Sequence, residues 1–381
     1  MPLDTILADL KTQGNYRRLK TLTHEGQYVY FKGQKLLNLA GNDYLHLTKD
    51  EGLKDEFLRQ LDAKDFYLSS SSSRSLSGNF SIYEKFESSL AKSFQNKEVL
   101  HFNSGYHLNL SCIQALSTLP NTLLIADKLI HASVIDGLRL GGSRFLRFKH
   151  NDLESLENLL KQYHKDYEHI IIITEALFSM NGDFAPLKEL TEFKKRYQNI
   201  LLYVDEAHSV GCFDESGLGY AKSLGLDKKI DFLVFTFGKA IASVGACMLC
   251  SSDFKAFFIN KARAFIYSTA LPPLNVAWSH FIFANLARFH NQRQNLHNIS
   301  HFFKDVLLKQ GFKILGDEYI ISLLCGSNAK ADMISNNLLQ GGIFAPAIKE
   351  PTIPKGTSSI RFSLNAALNE AHIESIIKAL L

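Results

Sequence analysis

The 381-residue chain has no apolar run approaching the roughly 18–20 residues a helix needs to cross a bilayer. Stretches such as HIIIIT and ILLYVD are strand-sized. No secretory signal opens it: Met1 to Leu10 already carries Asp4 and Asp9, and polar residues follow. Cysteine is sparse, with an odd, scattered set of five at Cys112, Cys212, Cys247, Cys250 and Cys325. These absences predict a soluble, reduced, cytoplasmic protein with no membrane partner. Neither sign of charge dominates. Lys plus Arg is 42 against 38 for Asp plus Glu, and the net +4 is spread along the chain. Nothing there calls for nucleic acid or an anionic membrane, although an anionic small substrate would be helped. With 23 Gly, 8 Pro, 46% hydrophobic and 21% charged residues, collagen-like, disordered and coiled-coil chains are excluded. What remains is a globular chain long enough for a large core, in about two or three units or one large α/β domain with appendages.

Short β-rich runs alternate with helical patterns through the middle. Thr122–Ala126, Arg144–Phe148, Ile170–Thr174, Ile200–Val204, Phe232–Phe235 and Val244–Cys250 read as strands. Several are apolar on both faces, as a parallel sheet covered by helices requires. Asp152–Tyr163 and Pro186–Tyr197 read as helices, with Pro186 suited to a first turn. The succession predicts a doubly wound α/β sheet, mostly parallel, with helices on both faces. After Phe254 long helical stretches take over, about 253–310. A small α+β tail follows, with strands near Tyr319–Leu324 and Ser359–Ser363. The expected domains are 1–44, packing on the small domain, 45–270, and 271–381 with the linking helix. The run Ser69–Ser73 reads on composition as a flexible loop.

VDEAHSVG contains the letters of a helicase magnesium box, but the accompanying phosphate loop is missing. Gly238-Lys239 is followed by Ala240 rather than Ser or Thr, has Leu233 where the first glycine should be, and lies after the box. Asp205 nevertheless stands where the strand ILLYV runs out, the edge at which open α/β sheets bind ligands. It reads as a helix N-cap or as the partner of a buried cationic ligand. Lys239 follows the strand FLVFT among Gly238, Ala240, Ala242 and Ser243. It reads as a snorkelling surface lysine or as an amine with room beside it for a planar ligand. A Schiff-base lysine with an upstream Asp at a strand end is the pair that pyridoxal phosphate (PLP) needs: one holds the aldehyde, the other keeps the ring nitrogen protonated. SGYHLN, Ser104 to Asn109, is a glycine turn before a helical pattern and a candidate phosphate site. Cys247 and Cys250 form a CxxC, but strand geometry sends them to opposite faces and no second pair accompanies them. They read as buried inert thiols, and no metal site is expected.

Eight motifs then occur in one order: NDYL (Asn42–Leu45), SGYHLN, DKLIHAS (Asp127–Ser133), TEALFSMNGDFAPL (Thr174–Leu187), VDEAHSVG, TFGKA (Thr236–Ala240), YSTALPP (Tyr267–Pro273) and PTIPKGTSSIR (Pro351–Arg361). In this the chain resembles, from about Tyr16 to its end, the α-oxoamine synthases, a branch of the fold-type I PLP-dependent transferases. The resemblance implies Lys239 as the Schiff-base lysine, Asp205 as the pyridinium partner and His131 stacked on the ring, these three being the catalytic set. It implies Ser179 and His208 near the phenolic oxygen, with Thr236 and the backbone of Gly105 and Tyr106 on the phosphate. Ser268 and Thr269 would reach a neighbouring subunit's cofactor in a homodimer. Arg17, Asn42, His131, Thr352 and Arg361 correspond to substrate-contacting positions, with Arg361 for the amino-acid carboxylate.

The implied reaction condenses L-alanine with a pimeloyl thioester, pimeloyl-CoA or pimeloyl-acyl carrier protein, with loss of carbon dioxide, on the way to biotin. Alternatives are the sister condensations that make 2-amino-3-ketobutyrate, 5-aminolevulinate or the palmitoyl product of serine. A simple aminotransferase and a non-catalytic binding protein of the same fold are further ones. Three departures from the family pattern stand out: SSSSSRSLSG before and including Gly78, Lys349 where arginine is usual, and His46 where glycine is common.

Overall fold

The computed structural model describes residues 2–95, 97–350 and 352–381; Pro351, the first residue of the PTIPKGTSSIR motif, lies outside them. The chain divides into two compact units. The larger is Asp50–Phe178 with Phe184–Arg293, and the smaller is Met1–Lys49, Ser179–Asp183 and Gln294–Leu381.

Aliphatic and aromatic runs build a seven-stranded sheet in the larger unit, in the order Glu98–Phe102, Ala246–Cys250, Phe232–Thr236, Ile200–Asp205, His169–Glu175, Thr122–Asp127 and Phe145–Phe148. Ala246–Cys250 pairs antiparallel with both neighbours, while the pairings from Phe232–Thr236 to Phe145–Phe148 are all parallel. Every residue of Thr122–Asp127, Phe232–Thr236 and Ala246–Cys250 is buried, as strands covered on both faces require. Leu108, Val134, Ile171, Tyr203, Phe232 and Met248 belong to the core that sheet and helices enclose. Parallel strands leave their carboxyl ends on one edge. The register sets Glu175 beside Asp205, and Asp205 beside Val234 two residues before Thr236. This is the mostly parallel α/β sheet, helices on both faces, that the sequence predicts.

Some element boundaries differ from expectation for local reasons. The strand expected from Val244 begins at Ala246, because Gly245 holds φ 107, outside extended geometry. Pro186 caps the helix Leu187–Arg196 instead of entering its first turn. The expected helical stretch is cut into Ser252–Lys261, Arg263–Tyr267, Pro273–Ala284 and His290–Lys309. Ala262 is extended there, and Pro272 and Pro273 have no amide to continue a helix. The Pro273–Ala284 helix lies in the larger unit, where Trp278 Nε1 donates to Ala242 O at 2.9 Å and the Ser243 and Ser279 hydroxyls meet at 2.7 Å.

The reading of Ser69–Ser73 as a flexible loop is corrected. Ser70 Oγ donates to Ala270 O at 2.6 Å, and Ala270 N donates to Ser72 O at 2.9 Å, which fastens the run to the 270 segment.

The smaller unit holds two four-stranded sheets. One joins Thr23–Glu25, Tyr28–Phe31 and Gln34–Asn38 to Ile343–Phe344, the last pairing parallel with Leu37 opposite Ile343. The other orders Ile314–Leu315, Ile320–Gly326, Ser358–Ser363 and Ala347–Ile348. Its helices Asn328–Gln340 and Glu370–Leu380 start on the capping side chains of Ser327 and Asn369. His46, where glycine is common, holds φ 57, the left-handed region that explains the usual glycine. Among the described residues no helix is long and apolar enough to cross a membrane.

Candidate active site

Lys239 sits in the turn that follows the Phe232–Thr236 strand, half-buried, with Nζ 2.8 Å from Nε2 of His208. The turn is closed by Ala242 N on Lys239 O and Ser243 N on Phe237 O, each at 2.8 Å. His208 is buried and follows Asp205, the last residue of its strand. Asp205 is 5% exposed, and its carboxylate accepts from Ala207 N at 2.9 Å and Asn109 Nδ2 at 2.8 Å. A buried carboxylate bonded in this way is held in one orientation, suited to face a protonated ring nitrogen.

Asn109 has no place among the sequence-expected site residues, yet it is the hub of this network. Its carbonyl oxygen accepts from Tyr203 Oη at 2.6 Å, and its amide also donates to Ser133 Oγ at 3.1 Å. Ser133 Oγ is 2.8 Å from His131 Nδ1, which also accepts from Ser133 N at 3.2 Å. The Ser133 N–H aimed at Nδ1 favours the neutral imidazole with its proton on Nε2. The protein around His131 lowers its pKa by desolvation against the pull of Asp205, with Lys239 adding to the lowering. Its backbone N donates at 2.8 Å to Glu175, a second site carboxylate that the sequence reading passed over. The signal for both was positional: Asn109 ends SGYHLN, and Glu175 ends an apolar strand.

Gly105 opens the helix Gly105–Leu116, capped by Ser104 Oγ accepting from His107 N. The first amides of a helix have no intrahelical acceptor and suit an anion. A Cβ on Gly105 would stand 2.5 Å from Thr236 Cγ2, so the glycine is what lets the helix start approach the Thr236 strand end. Tyr106 Oη donates to Asp136, and its ring stands edge-on to His131, with centroids 6.3 Å apart. Amides and a threonine hydroxyl for a phosphate, an amine for an aldehyde, an aspartate for a pyridinium and an imidazole beside them match PLP in every donor type. Thr269 O accepts from Asn103 Nδ2 at 2.7 Å, and Ser268 ends the Arg263–Tyr267 helix.

Ser179 and the four remaining substrate positions belong to the smaller unit. There Arg361 Nε donates to Ser179 O at 2.6 Å, and its two terminal nitrogens lie 3.3 and 3.4 Å from Asn42 Oδ1. Asn42 Oδ1 also accepts from Tyr44 Oη at 3.1 Å. The guanidinium is thus oriented before any substrate arrives, with donors left for a carboxylate. Arg17 donates from its guanidinium to Thr352 Oγ1 at 3.1 Å. Cys247 and Cys250 are fully buried, and burial raises both thiol pKa values, as for inert core cysteines.

Fold and site together define a fold-type I PLP-dependent enzyme. The model of the aminotransferase class I and II family matches residues 34–380. The chain superposes on a variant of the serine palmitoyltransferase of S. paucimobilis, solved with bound PLP and myriocin, with TM-score 0.90 and 27% identity over 100% of this chain and 96% of that one. On the 8-amino-7-oxononanoate synthase of Francisella tularensis it gives TM-score 0.75 and 26% identity over 91% and 96%. It is 44% identical over 375 residues, 98% of either chain, to a Glaesserella parasuis serovar 5 (strain SH0165) protein named "Putative 8-amino-7-oxononanoate synthase". The chain belongs to the aminotransferase class I and II family, within it to the 8-amino-7-oxononanoate synthases, which are PLP-dependent acyltransferases.

Proposed function

We propose that the chain condenses L-alanine with a pimeloyl thioester, of coenzyme A or acyl carrier protein, to 8-amino-7-oxononanoate, carbon dioxide and free carrier thiol, a step of biotin synthesis. The observation that carries the reading is the 44% identity across 98% of a relative bearing that activity's name; Lys239, Asp205 and His131 in the larger unit, and Arg361 in the smaller, each suit the chemistry. PLP, when bound, supplies an electron sink for the amino acid's α-carbon.

The residues supply the rest. Lys239 would hold the cofactor, and its Nζ would be the base for the amino acid's α-proton. Asp205, fixed by Asn109 and Ala207 N, would keep the ring nitrogen protonated. His131, neutral with its proton on Nε2, would offer its ring to the cofactor's. Ser179 and His208 would serve the phenolic oxygen, and Thr236 with the amides of Gly105 and Tyr106 would hold the phosphate. Arg361 takes the amino-acid carboxylate in a two-point contact, oriented by Ser179 O and Asn42. Asn42, Arg17 and Thr352 serve the substrates.

The active form is a homodimer in the cytoplasm, where buried thiols stay reduced. Leu68, Leu76 and Tyr267 are 72%, 80% and 72% exposed on segments that Ser70 and Ala270 tie together, an apolar face that suits a second copy. Sedimentation as a monomer would remove the dimer.

The test of the activity is thiol release from pimeloyl-CoA by PLP-loaded protein given L-alanine, glycine or L-serine in parallel. Release with alanine, with an amino ketone of the right mass, supports the reading; release with glycine or serine alone moves the chain to a sister condensation. If pimeloyl-CoA and pimeloyl-carrier protein both fail while a keto acid is aminated, the chain is an aminotransferase.

A further inference from the structure

The N-terminal helix Pro2–Thr12 contributes no buried side chain, and Leu3 and Ile6 are half exposed. Residues 15–22, which follow it, have no regular structure. Its far end is held by Leu22, packed against the Val29, Leu36 and Phe344 cluster, and by Lys20 over the Phe31 and Phe344 rings; nearer the helix, polar contacts are the main ties. The helix ends in a Schellman arrangement: Gly14 at φ 68, Gly14 N on Lys11 O at 3.0 Å and Asn15 N on Leu10 O at 2.8 Å. The Gly14 carbonyl is thereby turned outward, next to the negative end of the helix dipole.

Lys349 meets that carbonyl. Its Nζ donates to Gly14 O at 2.7 Å and to Asp332 Oδ2 at 3.0 Å, and its side chain is 22% exposed. Lys349 opens the 349–357 connection between the paired strands Ala347–Ile348 and Ser358–Ser363, the second of which carries Arg361. The base of the connection is pinned by Asn328 Oδ1, which accepts from Glu350 N at 3.2 Å and Ser358 Oγ at 2.7 Å. Three residues along from each partner of the Lys349–Gly14 contact, Arg17 meets Thr352. The two contacts form a two-point clasp, and Lys349 is the point with the stronger anchorage: less exposed, bonded twice, and seated on a helix terminus.

We propose that Lys349 is a positioning residue that clasps the N-terminal segment onto the 349–357 connection and thereby sets the Arg17–Thr352 pair for the acyl thioester. In assigning the pair to the acyl donor it rests on the proposed activity; the clasp itself does not. Lys349 does not bind the amino-acid carboxylate, because its ammonium is already committed to a carbonyl and a carboxylate.

The experiment compares the PLP-loaded parent with Lys349→Met, Lys349→Arg and Asp332→Asn. Two readings are taken: the rate of trypsin cleavage after Arg17, Arg18 and Lys20, followed by mass spectrometry, and the Michaelis constant for pimeloyl-CoA alongside the dissociation constant for L-alanine. With Lys349→Met, cleavage and the pimeloyl-CoA constant should each rise about twofold to fivefold, the range expected for losing one partly exposed charged contact, with alanine affinity and kcat unchanged. Lys349→Arg, which keeps a cation able to reach both acceptors, should restore both readings. Asp332→Asn should move cleavage the same way by less. Unchanged cleavage in Lys349→Met, or weaker alanine binding with the pimeloyl-CoA constant unmoved, overturns the proposal. If the parent itself turns over no pimeloyl thioester, the proposed activity falls, and the cleavage rates still decide the clasp.

Discussion

Asn109 Nδ2 donates to Asp205 Oδ2 at 2.8 Å inside a pocket where the carboxylate is 5% exposed. Hydrogen bonds to a buried charge contribute about 1.5–3 kcal/mol, and each 1.4 kcal/mol is about tenfold in affinity. Replacing Asn109 with Leu should therefore weaken PLP binding by about tenfold or more, measured by cofactor titration into apoprotein. Tyr203→Phe, which removes only the contact on the far side of Asn109, should leave PLP affinity within about threefold. Equal affinities for parent and Asn109→Leu would show that Asp205 needs no such support.

The closeness of Gly105 to Thr236 makes a second, reversible case. Gly105→Ala puts a Cβ 2.5 Å from Thr236 Cγ2, too near to coexist without displacing the strand end or the helix start. Overpacking of this kind typically costs about 1–3 kcal/mol. The expected result is a loss of PLP affinity of about tenfold. The double variant Gly105→Ala with Thr236→Ser, which deletes the clashing methyl and keeps the hydroxyl, should recover most of it. No recovery would mean that the methyl contact is not what constrains this glycine.

Much of this site is legible from residue order, because strand ends reveal themselves. Asp205 and Lys239 each follow an apolar run whose length and burial leave little choice, and a parallel sheet sends both to one edge. Asn109 is harder to see: it lies five residues into its pattern, and only the helix start at Gly105 turns it toward the carboxyl edge. The serine run misleads for the opposite reason. Its composition suggests mobility, while the bonds that order it come from Ala270, two hundred residues away. The breaks between residues 253 and 310 follow from an extended Ala262 and a Pro-Pro step, and only the second is visible as letters. Lys349 is visible as a departure from pattern, but its partners Gly14 and Asp332 are supplied by the fold alone.

Lys239→Ala separates chemistry from folding. The side chain is half-buried and meets His208 Nε2 at 2.8 Å, so removing it should leave the far-ultraviolet spectrum and the thermal midpoint close to the parent's. Thiol release from the acyl donor should fall below detection, since both the amine that holds the cofactor and the base are gone. Turnover at the parent's rate would remove Lys239 from the mechanism.

Glu206, next to Asp205 but turned into the protein, carries a pH dependence of its own. It is wholly buried and accepts from Ser209 Oγ, Tyr220 N and Ala221 N. Burial pushes its pKa up from 4.5 to about 7, against those bonds. Between these two values the folded chain holds a proton that the unfolded chain has released, so raising the pH favours unfolding. The contribution to stability is full below about 4.5 and is lost as the pH passes about 7, beyond which it changes no further. A shift of that size corresponds to about 3 kcal/mol. Glu206→Gln cannot ionise. Its thermal midpoint between pH 5 and pH 8 should lack this falling component, so the parent's midpoint should drop relative to the variant's as the pH rises. Parallel profiles would mean that Glu206 stays ionised in the fold throughout, with its three donors outweighing its burial.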